Sequence, residues 1–180
     1  MKKQMIVTAI ASVLSVSAFA GSPSFDFVEG GYADNYETDG MLIRGNKTLN
    51  DNFFLTASYE TVGENGVDLN STLFGLGYKF DLDDSSAIYT KVSYFDFEVD
   101  AGAGSESDDG FELGLGYRTQ ISKATQIYTE VNHLEVDSDS ATQLVIGARQ
   151  SFAGNLGAFI EVKKDDFDND GFALGLNYSF

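Results

Sequence analysis

The sequence predicts an all-β protein, an antiparallel up-and-down β-barrel that crosses a membrane with ten strands, eight being the alternative count. Three observations predict it. Apolar and polar residues alternate with period two through most of the chain. There are 19 Gly, 15 Phe and 9 Tyr but one Pro, which suits many strands with close backbone approaches and not a helical bundle. Finally, acidic residues gather in alternate connections, whereas charges on one strand face nearly balance.

The first twenty residues stand apart. Lys2 and Lys3 precede the apolar "MIVTAIASVLSV", which leads to Ala18-Phe19-Ala20. A basic start, a short apolar centre and an A-x-A end form a secretory signal peptide, cleaved after Ala20. Residues 21–180 are then one barrel domain. The apolar run is shorter than the ~20 residues of a membrane-spanning helix, and no later stretch is apolar enough to be one. Removing Lys2 and Lys3 takes Lys plus Arg from 11 to 9 against 28 Asp plus Glu, a net −19. Such a charge repels nucleic acid. Without Cys there is no disulfide, thiol nucleophile or Cys-based metal site.

Strands are expected at 24–33, 39–49, 53–62, 69–80, 87–96, 110–119, 125–136, 141–152, 155–164 and 171–180. The first alternates least well, which leaves eight open. The third, "NFFLTASYET", sets Phe53, Leu55, Ala57 and Tyr59 opposite Phe54, Thr56, Ser58 and Glu60. The fourth ends "FGLGYKF", which the sixth echoes as "LGLGYRT" and the tenth as "LGLNYSF". In the sixth, Phe111, Leu113, Leu115 and Tyr117 oppose Glu112, Gly114, Gly116 and Arg118. The ninth sets Leu156, Ala158, Ile160 and Val162 against Gly157, Phe159, Glu161 and Lys163. The tenth carries Phe172, Leu174, Leu176, Tyr178 and Phe180 on one side. Most segments have the length a tilted transmembrane strand needs, and an even number leaves both ends on one side.

Alternation alone does not separate a membrane barrel from a soluble one with the apolar face inward. Charge does. The predicted inner face carries Arg44, Lys79, Lys91, Arg118, Arg149 and Lys163 with Glu29, Glu60, Glu112, Glu130 and Glu161. This set is nearly neutral on a strongly acidic chain, as a narrow interior requires, because unpaired desolvated charges cost several kcal/mol. The connections "LNDN", "DLDDSS", "TQISKAT" and "FAGN" are short, and the five between them hold most of the acid. All five therefore fall on one rim, the extracellular one in an outer-membrane barrel. The longest, "DFEVDAGAGSESDDG" (96–110), reads as a mobile loop.

With the signal ending at Ala20, the strand pattern and the closing "LGLNYSF", the chain resembles the small bacterial outer-membrane β-barrels, the class of the OmpA transmembrane domain and OmpX. The resemblance implies that the C-terminal aromatics Tyr178 and Phe180 are an assembly signal read by the barrel-assembly machinery. It also implies outer-membrane lipid and lipopolysaccharide as surroundings. "FDFVEGGYADN" (25–35) and "DGMLIRGN" (39–46) resemble, more narrowly, a family of short outer-membrane proteins of xanthomonads.

Three motifs have plainer explanations. "DFDNDG" (166–171) places Asp166, Asp168 and Asp170 as in the first half of a calcium loop, but position twelve is Asn177, not a bidentate Glu. A solvated acidic loop is the default, with weak divalent-cation association as the milder expectation. His133, the only histidine, has Glu135, Asp137 and Ser138 nearby, but parity turns it outward and no Ser completes a triad. The Gly75/Gly77 and Gly114/Gly116 pairs lie within strands, with no helix to receive a phosphate, and leave room for long neighbours. The expectation is a non-enzymatic outer-membrane barrel with a charge-paired lumen, acidic outer loops and no cofactor, in a structural or interaction role. A narrow pore for small solutes or ions is the alternative, and a hydrolase using His133 comes last.

Overall fold

The computed structural model describes residues 22–35, 38–64, 66–102, 104–136, 139–167 and 169–180. The expected signal peptide, Glu37, Asp137, Ser138 and Asp168 lie outside them. Ten strands follow in order: β1 Phe27–Asn35, β2 Thr38–Thr48, β3 Phe53–Glu64, β4 Val67–Asp83, β5 Ser86–Asp100, β6 Ser105–Gln120, β7 Thr125–Val136, β8 Asp139–Ala153, β9 Leu156–Asp165 and β10 Asp170–Ser179. Each is antiparallel to the next, and β1 pairs with β10 to close the barrel. No helix occurs among the described residues. Closure gives every strand two hydrogen-bonded neighbours, which a hydrocarbon surround demands because it supplies no partner for a bare sheet edge.

The orientation that decides between a membrane and a soluble barrel is plain on β6. Phe111, Leu113 and Leu115 are 62%, 56% and 61% exposed, whereas Glu112 and Arg118 between and beyond them are 6% and 3%. A soluble barrel would reverse these values. Aromatic pairs ring both ends of the apolar band: Phe53 with Tyr78 near the termini (ring centroids 5.1 Å apart), and Tyr94 with Phe111 (5.9 Å) and Tyr32 with Phe172 (5.7 Å) near the other end. Such girdles sit where amphipathic rings meet the membrane–water boundary.

Two expectations are corrected. Residues 96–110 are not a long loop. β5 continues to Asp100, β6 begins at Ser105, and Asp96 lies opposite Asp109. Strand pairing is a backbone matter, and beyond the membrane solvent screens the facing carboxylates; the stacked Phe95 and Phe97 rings support the extension. At the other end, β1 starts at Phe27, and Ser24–Asp26 form an extended segment leading into the barrel instead of its first turn of strand. Turns at the terminal end are tight: β8 joins β9 through Gly154-Asn155, where Gly154 has φ +58°, a conformation that suits glycine.

Candidate functional site: the barrel lumen

The inward residues build the site, and strand register sets their meetings. Glu29 on β1 stands opposite Arg44 on β2 and Asn177 on β10. It accepts hydrogen bonds from Arg44 Nε (2.7 Å), Arg149 Nε (2.6 Å) and Nη2 (3.2 Å), and Asn177 Nδ2 (3.2 Å). Arg44 also pairs through Nη1 with Glu161 Oε2 (2.7 Å) and donates from Nη2 to the Tyr128 hydroxyl (2.9 Å). Tyr128 in turn donates to Glu161 Oε2 (2.7 Å). Strands β2 and β7 are diametrically opposed around the ring, so Arg44 and Tyr128 bridge the whole lumen. Two carboxylates, two guanidiniums and a phenol thus partner one another inside the narrow barrel, as charges held away from bulk water require.

A second cluster lines β5–β7. Lys91 Nζ lies 3.0 Å from Glu112 Oε1 and 2.5 Å from Glu130 Oε1, and the Tyr89 hydroxyl donates to Glu130 Oε2 (2.7 Å). Nearer the loop end, Lys163 Nζ donates to Glu60 Oε2 (3.0 Å), and Asn35 donates its amide to the same carboxylate. Glycines make the room. Gly77, Gly116 and Gly147 stand directly opposite Phe54, Tyr89 and Tyr128, and a Cβ on any of them would overlap the facing ring. The space left is a cavity of about 140 Å³ lined by, among others, Arg44, Lys91, Glu112, Asn132, Glu161 and Lys163.

The family described as Gram-negative porin matches residues 14–171, most of the chain. The chain belongs to that family. No curated protein sequence matches this porin. Among solved structures it is similar to the KdgM porin (12% identity, TM-score 0.53, covering 86% of this chain and 99% of that one) and to the NanC porin (10% identity, TM-score 0.54, 86% and 100%). At such identities the likeness speaks for the fold. The porin is a multi-pass outer-membrane protein, so the end with the termini faces the periplasm and the acidic end the exterior.

The structure gathers nine of the eleven residues expected in the lumen network into the three groups above; Arg118 and Lys79 are the other two, and Arg118 joins none of their ion pairs. Its guanidinium rests 4.1 Å from the centroid of the Phe25 ring and 5.2 Å from that of Tyr89. Lys79, the eleventh, lies at the periplasmic rim, where Nζ donates to both oxygens of Asp81 (3.0 and 2.8 Å). Reading only charges missed Tyr89, Tyr128, Asn177 and Gln126, whose Oε1 accepts from Arg149 Nη1 (3.0 Å), although Tyr89 shares the parity of Lys91 and Tyr128 that of Glu130. Phe25 was missed because its segment was read as strand.

His133 is exposed on the outward face of β7, with Nδ1 3.2 Å from Thr142 Oγ1. Tyr178 and Phe180 also point outward, with their rings stacked (6.4 Å), and Lys47 Nζ lies 4.8 Å from the Phe180 centroid. Around "DFDNDG" the turn is organised by Asp165, which accepts from the backbone of Phe167 and Asn169. Among the described residues no three metal-ligating side chains converge there or elsewhere; Asp168 is not among them.

Proposed function

We propose that this porin is a narrow passive pore for small solutes or ions, and that it performs no catalysis. One observation carries the reading. The lumen holds a cavity of about 140 Å³ whose lining is rich in charged and polar side chains, Arg44, Lys91, Glu112, Glu130, Asn132 and Lys163 among them. A polar cavity of that size has room for several waters and the partners to hold them. A wetted interior favours passage over a sealed strut. The Arg44–Tyr128 bridge favours the second reading, a structural or interaction-mediating barrel, because it leaves little free cross-section.

Planar-bilayer recording distinguishes the two. Repeatable single-channel steps of low conductance are expected, and they should enlarge when Tyr128→Ala removes the bridge. Silence from both the natural protein and the variant would sink the pore. The non-catalytic reading is tested by His133→Ala, which should leave permeation and any hydrolysis of outer-membrane lipid or peptide unchanged.

A further inference from the structure

The periplasmic mouth holds a guanidinium, that of Arg118, that makes no direct ion pair among the described residues. Arg44, Arg149, Lys91, Lys163 and Lys79 each have a carboxylate within 4 Å. Arg118 has none among the described residues, although its exposure is 3%. Ring faces surround it instead, those of Phe25, Tyr89, Phe27 (5.5 Å) and Tyr128 (5.9 Å). Its Nε is buried without a hydrogen-bond partner among the described residues. Its Nη1 donates to the backbone carbonyl of Ser24 (2.8 Å), which Gln126 Nε2 also approaches at 3.5 Å.

Ser24 and Phe25 are not wall residues. They belong to the short segment before β1, which turns into the mouth so that the Phe25 ring packs 4.9 Å from Phe54 and 5.4 Å from Tyr89. The segment is pinned at Asp26, whose carboxylate accepts from Thr48 N (2.6 Å) and whose carbonyl accepts from Phe180 N (3.2 Å). Just outside lies a second cavity of about 230 Å³. Its lining includes Ser22, Ser24, Lys123, Gln126, Arg149 and Asn177, and contains no carboxylate. On a chain of formal charge −17, this is an entrance whose charged groups, Lys123 and Arg149, are both cationic.

A guanidinium is built to grip two oxygens of a carboxylate or phosphate at once, and a neutral carbonyl uses only part of that capacity. We infer that the Ser24–Phe25 segment is a self-ligand seated in an oxyanion site built on Arg118. A small carboxylate or phosphate arriving from the periplasm competes with the Ser24 carbonyl for Arg118 and releases the segment from the mouth. The inference goes beyond the pore reading and stands without it, because binding and release need no conduction.

The natural chain has neither Trp nor Cys, so a single reporter can be introduced. Phe25→Trp reads the segment directly. Ser22→Cys carrying a small environment-sensitive fluorophore reads it from an exposed position and keeps the test valid if the larger ring misfits. Inorganic phosphate, titrated against chloride at matched ionic strength into the folded barrel, should produce a saturable red shift with either reporter. Adding Arg118→Gln should weaken that response roughly tenfold or more, as loss of a charge-assisted contact does. No saturable shift in a folded reporter, or an equal shift without Arg118, would overturn the site. Bilayer recording of the same preparations separates the two readings. Silent barrels that answer phosphate retain the site and remove the pore, whereas conducting barrels indifferent to phosphate retain the pore and remove the site.

Discussion

Glu29→Gln tests whether charge pairing holds the lumen together. The change keeps shape and volume but removes the negative charge from a side chain that is 0% exposed and receives hydrogen bonds from two arginines and Asn177. Arg149 then loses the one carboxylate it pairs with among the described residues, while Arg44 keeps Glu161. Breaking a buried ion pair from one side costs about 3–5 kcal/mol. Arg44 keeps a partner and Arg149 borders the mouth cavity, so the loss should lie near the lower end, about 3 kcal/mol. Equilibrium urea unfolding of the barrel in phospholipid vesicles, followed by circular dichroism and by gel mobility with and without heating, measures it. Glu29→Gln combined with Arg149→Gln should be less destabilised than the two single losses added together, with a coupling of about 1–3 kcal/mol. A Glu29→Gln barrel within about 0.5 kcal/mol of the natural one, the range of an ordinary surface change, would refute the argument. So would strict additivity in the double variant.

Leu115→Arg places a charge at the middle of the lipid-facing band of β6 and should cost about 2–4 kcal/mol in vesicle unfolding; an unaffected barrel would contradict the outward orientation. Gly147→Val forces a side chain into the space of the Tyr128 ring, and overpacking of this kind should cost about 1–3 kcal/mol. The same variant should raise conductance as Tyr128 leaves Arg44, and unchanged stability and conductance would show that the fit is loose. Phe180→Ala should slow assembly in cells, seen as accumulated unfolded precursor, while refolding into detergent proceeds normally. Normal assembly in cells would remove the signal role that the resemblance implies for Tyr178 and Phe180.

The strand centres were legible because parity is a local property. β7 matches its expected span, 125–136. Strand ends were less legible, because they depend on which backbone groups find partners above the membrane and not on hydropathy. This is why β5 and β6 run on through Glu98 and Glu106, residues that read as loop. Charge balance on the inner face could also be seen in the sequence, since Glu29, Arg44 and Glu161 announce themselves by type and parity. Their partners could not all be seen. Tyr128 reaches Arg44 across the lumen from the opposed strand, a relation fixed only when the sheet closes. Lys79 shares the inner parity but sits so near the rim that Asp81, two residues along the same strand, meets it first. Phe25 was hidden for a different reason. Phe25 has the same parity as Phe27 and Glu29 on β1, and only the fold shows that the chain has left the wall there.

The composition of the interior bears on function as well as stability. If filling the barrel were the only requirement, leucine and valine would do it at lower cost, because a buried ionic group replaced by apolar side chains of similar volume is often neutral or stabilising. The outward face shows that this chain has apolar residues to spend, with Leu113, Leu115 and Ile146 turned to lipid. Yet the lumen carries Glu29, Arg44, Glu161, Lys91, Glu112 and Glu130 around space for water. An apolar fill would also dry the interior, since a cavity lined by leucine or isoleucine stays empty of water. Retaining ions keeps the interior wet at some expense in stability, and a wet interior matters to a pore in a way that it does not to a strut. Replacing Glu29, Arg44, Arg149 and Glu161 together by Met or Leu should therefore give a barrel at least as resistant to urea as the natural protein, and one that no longer conducts. A variant that lost stability and kept its conductance would show that the ions are there to hold the wall and that solutes pass by some other route.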